Sequence, residues 1–198
     1  MNSTREALVR ASAELIAAQG VAAFSLRQVA QRVGIKAPSI YVHFDSKEAL
    51  LAAASRSAVD ALGVVLRAAG TGHDARERLV STAMGYLDFA QRQPSLFALL
   101  FMELPSARRS LEEEPDAGSP YGLLLLRAAD FLGGERDQVE RLGFGIWSLL
   151  HGAAVLRHTH LRDFQGPVVE ATRQNLERLL DGWQAQRPEA RSRRLHRG

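Results

Sequence analysis

The sequence predicts an all-α protein: a three-helix head of helix-turn-helix form at the N-terminus, followed by a six-helix body. Three observations carry this. Apolar residues recur at 3.6-residue spacing in one segment after another. Gly and Pro, at Gly34, Gly70-Thr71-Gly72, Pro94, Gly133-Gly134 and Gly166-Pro167, divide those segments at helix length. The stretch SLRQVAQRVGIKAPSIYVHFDSKEAL, Ser25 to Leu50, fits two short helices, a Gly-containing turn and the start of a third helix, and it holds both lysines of the 198-residue chain.

A first helix is expected from about Thr4 to Gln19. Ser25 with Gln28 three residues on reads as a capping box, opening a helix that carries Leu26, Val29, Ala30 and Val33 on one face. Gly34 stops it, because Gly takes the left-handed cap conformation without a Cβ penalty. The turn Gly34-Ile35-Lys36 leads to Pro38, which suits a first helical turn, so a second helix starts near Ala37. Ile40 and Phe44, four apart, then face inward, and Ser39, Tyr41, Val42 and His43 fall on the sides and outer face. Asp45 or Ser46 caps a linking helix that runs to about Ala69. A Gly-containing turn between two such helices, with small and polar side chains outward on the second, is the arrangement that enters a major groove of DNA.

The body continues with a helix from Asp74 to about Gln93, which places Leu79, Ala83, Tyr86, Leu87 and Ala90 on one face, and a short apolar helix from Pro94 to Met102. Residues 104–120, with three Pro, a Gly and three consecutive Glu, read as a mobile, solvated loop. Helices follow at Tyr121 to Leu132, about Glu135 to His160 and Pro167 to about Gln186. The last carries Val169, Leu176, Leu179, Leu180 and Trp183 as a stripe. Gly143, Gly145, Gly152, Ala153 and Ala154 are costly inside a helix unless they permit close approach. Either a subunit interface or packing within the chain would use them, and the former is favoured because homodimers are the default oligomer.

Composition narrows the function classes. With 46% apolar residues the chain can bury one sizeable core or two small ones, and no apolar run approaches the length of a membrane span. The N-terminus MNSTREALVR lacks an apolar signal core, so a cytoplasmic location is expected, with no membrane partner. The absence of Cys rules out disulfides and thiolate chemistry, although 23 Arg against 2 Lys suggests a general codon bias behind it. Charge is uneven: net +2 over residues 1–50, −3 over 51–186 and +4 over 187–198. A basic head on an acidic body fits a protein that sets one end against phosphates. The tail RPEARSRRLHRG reads as disordered, or else as extra phosphate attraction. The expected divisions are therefore 1–47, 48–186 and 187–198. No P-loop, dinucleotide fingerprint, G-x-S-x-G or H-E-x-x-H occurs, so no enzyme activity, catalytic residue, cofactor or metal is expected. His158 and His160, two apart on a helix, point to different faces.

The core Leu26…Val29-Ala30…Val33-Gly34, the run Ser39-Ile40-Tyr41-Val42-His43-Phe44 and the start Ser46-Lys47-Glu48-Ala49-Leu50 together resemble the DNA-binding domain of the TetR family of transcriptional regulators. The resemblance implies a DNA-binding head and a ligand-binding, dimerising body whose last two long helices, 135–160 and 167–186, pair with a second copy. It also implies phosphate contacts from Ser25, Tyr41, His43 and Lys47. Since Ala37 to His43 holds no Arg, Asn or Gln, bidentate base reading falls to Arg27, a family position that reaches base edges, or to Lys36. Ala37, Pro38 and Ser39 are candidates for thymine methyls or base edges.

On the long helix, Trp147, His151 and Gly152 form W-x-x-x-H-G, similar to the pattern that names one subgroup of the family's C-terminal domains. Met84, Tyr86, Phe89, Phe97, Phe101, Tyr121, Phe144, Trp147 and His151 lie in segments that in this family surround a ligand cavity; packing alone is the plain alternative. If a cavity is present it is largely apolar, with His151, Tyr86 and Tyr121 as polar anchors. The expected function is a ligand-responsive regulator, most simply a repressor, that binds a palindromic operator as a homodimer and is released by a small apolar or aromatic effector. A constitutive or architectural DNA-binding protein, and a ligand-binding or enzymatic body with a vestigial head, stay open.

Overall fold

The computed structural model describes residues 2–20, 23–100, 118–161 and 163–186. Among the described residues it is built from eight α-helices and one 3₁₀ helix, with no strand. They form two compact units: residues 2–64 with 89–100, and residues 65–88 with 118–186. Phe101, residues 104–117 of the expected loop and the expected disordered tail, 187–198, lie outside the described residues.

The first unit begins with α1 (Asn2–Gln19), whose Leu8, Ala11, Ser12 and Ile16 recur at helical spacing and are all buried. The buried Ser12 hydroxyl donates to the Leu8 carbonyl at 2.7 Å, so it carries no unpaired polar group inward. Helix α2 (Leu26–Val33) ends as expected at Gly34, in the left-handed region at φ 77°. The Ile35 N–H closes that cap onto the Ala30 carbonyl at 3.0 Å. Its start differs from expectation. Ser25 accepts the Val29 N–H through its backbone carbonyl, but its hydroxyl makes no cap bond, and Gln28 instead accepts from Gln19 Nε2 at 2.8 Å. The reciprocal capping box is absent because α1 offers Gln28 a partner.

The segment after the turn is not an α-helix but a 3₁₀ helix, Ala37–Val42. Pro38 in its first turn removes a donor, and six residues are few for α-type closure. The α-helix that follows, α3 (Lys47–Ala69), is capped by the Ser46 hydroxyl, which accepts from the Ala49 N–H at 3.0 Å. α3 corrects the expectation that no apolar run approaches the length of a membrane span: interrupted only by Arg56 and Asp60 between its ends, it is long and apolar enough to cross a membrane by length and composition. Its Leu50, Leu51, Ala54 and Ala58 instead join Leu8, Ile16, Phe24, Val29, Ile40 and Phe44 in one core. Burying each of the larger aliphatic side chains contributes about 1.5–3 kcal/mol. Helix α5 (Pro94–Leu100), which the sequence reading groups with the body, packs on α1 and sends Leu99 into this same core.

The second unit contains most of α4 (Ala75–Arg92), with α6 (Pro120–Leu132), α7 (Arg136–His158) and α8 (Val168–Ala185). Asp74 caps α4 by accepting the Glu77 N–H at 2.8 Å. Ser119 caps α6 by accepting the Gly122 N–H at 3.0 Å, and Gly133 ends α6 in the left-handed region. Buried Leu142, Ile146 and Leu150 of α7 and Leu176 and Leu180 of α8 form the apolar stripes of the two long helices. Arg76 of α4 fastens the end of α8: it donates to Asp181 Oδ1 at 2.7 Å, Gln184 Oε1 at 3.1 Å and the Glu177 carbonyl at 3.3 Å.

Candidate nucleic-acid interface and effector site

In the head, Arg27 stands exposed in the first turn of α2, and Lys36 is exposed at the entry to the 3₁₀ segment with extended backbone, φ −78° and ψ 141°. Tyr41 and Pro38 are exposed; Ser39, His43 and Ser25 are half-buried. Ala37 is half-buried, like Ser39 and His43. It packs against the buried core with Ile40, three residues on, because three residues per turn stack i over i+3.

Lys47 is more constrained than a free phosphate anchor. Its ammonium donates to the Phe24 carbonyl at 3.1 Å and sits 5.4 Å from the Phe24 ring centroid. One N–H and the ring hold the charge in place while the ammonium keeps further donors. Sequence reading missed Arg5, whose guanidinium lies 4.8 Å from the Phe44 ring centroid, which gives α1 a cation beside the end of the reading segment. Thirty-nine residues separate the two, so no spacing rule could pair them. Arg32, by contrast, is tied to Glu14 at 2.8 Å.

In the body unit, four of the predicted effector residues come together. Tyr86 Oη and His151 Nδ1 are 3.1 Å apart. The Trp147 ring lies 5.2 Å from that of Tyr86 and 5.5 Å from that of Tyr121, the second pair edge-on at 77°. The register explains the assembly: Trp147 and His151 are one helical turn apart on α7, and Tyr86 and Tyr121 approach from α4 and α6. Burial raises the Tyr86 hydroxyl far above the usual tyrosine range. Burial and then the Glu140 carboxylate raise Tyr121 as well, and burial lowers His151 below the usual histidine value. At neutral pH the cluster is therefore uncharged, an aromatic surface with hydroxyl and imidazole groups set in it.

The remaining predicted residues fall elsewhere. Phe144 is 67% exposed on α7, and among the described residues no ring contact ties it to the cluster of Tyr86, Tyr121, Trp147 and His151. Phe89 and Phe97 are buried in the other unit, Met84 is half-buried, and Phe101 lies outside the described residues. The small residues of α7 also divide. At Gly143 an added Cβ would collide with the Leu125 side chain of α6, so that close approach is within the chain; at Gly152 it would meet nothing within 4 Å. Among the described residues no group of three His, Asp or Glu is arranged to hold a metal ion.

Comparison with known proteins places these two regions in one family. Residues 8–54 match the family model described as bacterial regulatory proteins, tetR family, and residues 79–182, more than half the chain, match the tetracyclin repressor-like C-terminal domain. That description is broader than the subgroup suggested by Trp147, His151 and Gly152. An HTH-type transcriptional regulator of Mycobacterium tuberculosis is 26% identical over 161 residues, 81% of this chain and 72% of that protein. The transcriptional activator FasR of Mycolicibacterium smegmatis is 31% identical over 98 residues, 49% of this chain and 45% of its own. Among solved structures, a protein from Rhodococcus sp. RHA1 aligns with a TM-score of 0.73 at 24% identity over 91% of this chain and 95% of that one. A TetR family transcription regulator from Marinobacter aquaeolei VT8 aligns at 0.65 and 20% identity, over 91% and 95%. At these identities the structural likeness speaks for the fold.

Proposed function

Because the chain belongs to the TetR family, and so is a DNA-binding transcriptional regulator with a ligand-binding C-terminal domain, we propose that it acts as a cytoplasmic homodimeric repressor. A small apolar or aromatic effector would release it from a palindromic operator. The observation that carries the reading is the helix-turn-helix within residues 8–54, with Arg27, Lys36 and Tyr41 turned to solvent. Ser25, Tyr41, His43 and Lys47 hold phosphates and fix register, and Arg27, helped by Lys36, Pro38 and Ser39, contacts base edges. Ala37, half-buried against the core, supports the fold of the reading segment and offers the rest of its methyl group to a base edge.

Two copies pair through α7 and α8. Exposed Phe144 and Leu156 on α7, exposed Val169 on α8 and the open Gly152 support this, since all four offer apolar or close-approach surface that a second copy can cover. An inverted-repeat operator requires the resulting two-fold axis.

The effector packs on the neutral cluster of Tyr86, Tyr121, Trp147 and His151, which favours an uncharged ring or apolar chain carrying one hydrogen-bonding group. α3 is the lever. It begins in the head unit and ends in the body unit as one continuous helix, so an effector that binds one arrangement more tightly shifts the population of DNA-competent dimers.

The test is a gel shift with DNA flanking the gene, repeated across a metabolite panel that has first been screened by thermal shift. A compound that raises the melting temperature should also release the DNA. If no compound stabilises the protein while DNA binding stands, the chain is a constitutive binder; if no DNA is bound, the head is vestigial.

A further inference from the structure

We propose that Val42, at the end of the 3₁₀ segment, is a specificity-determining residue that reads a thymine methyl group. The proposal rests on the DNA-binding role of the head and goes beyond it by naming an apolar side chain as reader. Between Leu26 and Phe44 the other aliphatic side chains are committed to the fold: Val29 and Ile40 are buried, and Leu26, Val33 and Ile35 pack against the core. Val42 is 81% exposed. One exposed valine on a surface needs no explanation. This one adjoins Tyr41, itself 57% exposed, in the segment that the helix-turn-helix arrangement presents to DNA.

The 3₁₀ geometry decides which side chains share a ridge. With three residues per turn, Ala37 lies under Ile40 on the inner ridge, Pro38 under Tyr41 on a second, and Ser39 under Val42 on a third. An α-helix would rotate Val42 away from Ser39 and spread the outer residues. The two outward ridges therefore end in Tyr41 and Val42, and neither carries a bidentate donor or acceptor. The C5-methyl of thymine is the apolar group a base edge displays in the major groove, so it is the chemical complement of an isopropyl side chain there. Valine suits the task because its β-branch leaves few rotamers to freeze on contact.

The test uses the full chain, a duplex selected by the wild-type protein from a random pool, and the same duplex with every thymine replaced by uracil. That replacement removes methyl groups and leaves the base-pairing hydrogen bonds intact. Affinities are measured by fluorescence anisotropy for the wild type, Val42→Ala and Val42→Ile. Because Val42 is exposed, both variants should melt with the wild type.

Wild type should lose about fourfold per half-site on the uracil duplex, the scale of one buried methyl group. Val42→Ile should keep that penalty, and Val42→Ala should shrink it to less than twofold. Comparing proteins on the same two duplexes removes the effect of uracil on DNA shape. An equal uracil penalty in wild type and Val42→Ala, or none in wild type, overturns the assignment. Failure of the wild type to select any duplex overturns the DNA-binding premise before Val42 is involved.

Discussion

Tyr86 on α4 and His151 on α7 are joined by a 3.1 Å hydrogen bond between Oη and Nδ1, sixty-five residues apart in sequence. Burial keeps the tyrosine protonated and the imidazole neutral, so the bond joins two uncharged groups inside an aromatic setting provided by Trp147 and Tyr121. The pair therefore ties two helices of the body at the proposed effector site.

Replacing Tyr86 with Phe keeps the ring against Trp147 and deletes the hydroxyl. The expected loss of stability is about 0.5–1.5 kcal/mol, the net worth of one such hydrogen bond. Urea unfolding measures it. Unchanged stability would mean that the bond is replaced without loss, and DNA affinity without effector should stay at the wild-type level in either case.

His151 makes stability depend on pH in a defined direction. Its folded value is lowered from 6.5 by burial, so below that point the unfolded chain binds the proton more readily than the folded one. This contribution is full above about pH 6.5 and declines as pH falls toward the lowered folded value. Melting temperature measured from pH 7.5 to 5 should fall more in the wild type than in His151→Gln. Parallel profiles would remove His151 as the cause.

Gly34 stands at φ 77° with open space where a Cβ would go. Gly34→Ala should therefore cost about 1 kcal/mol through backbone conformation, without a steric clash. Because the cap fixes the path from α2 into the 3₁₀ segment, DNA affinity should weaken too. A neutral substitution in both measurements would show that the turn tolerates another conformation.

Phe144 is exposed in the single chain, so Phe144→Glu should leave the protomer folded and place a charge in the proposed subunit interface. Sedimentation should then report a monomer for the variant and a dimer for the wild type, with the variant's operator affinity reduced at the same protein concentration. A variant that stays dimeric would move the interface away from this face of α7.

Much of this was legible because it is local. The Gly34 and Gly133 stops and the Ser46 and Asp74 starts follow from residue types at helix ends, and each sits within a residue or two of its expected place. Trp147 and His151 shared a face on spacing alone. What was not legible depends on partners distant in sequence. Gln28 leaves the Ser25 cap for Gln19, Lys47 is held by the Phe24 carbonyl, and Arg5 meets Phe44, none of which periodicity can foresee. α5 reads as a body helix until α1 supplies its surface. Phe144 looks like its aromatic neighbours in composition, and only the rotation of α7 turns it outward. The choice of 3₁₀ over α at Ala37–Val42 is a matter of one hydrogen-bond offset, yet it decides which side chains share a ridge.

The central claim is that the chain binds an inverted-repeat operator as a dimer through its head. Anisotropy titration of the full chain onto a selected duplex, across a range of salt, tests it most directly. Two protomers should bind per duplex, on half-sites about 34–36 Å apart centre to centre. Affinity should fall steeply with salt, and it should weaken in Arg27→Ala with loss of guanine preference and in Lys47→Ala with a shallower salt slope. Binding by one protomer, or affinities untouched by both substitutions at moderate salt, would contradict the account.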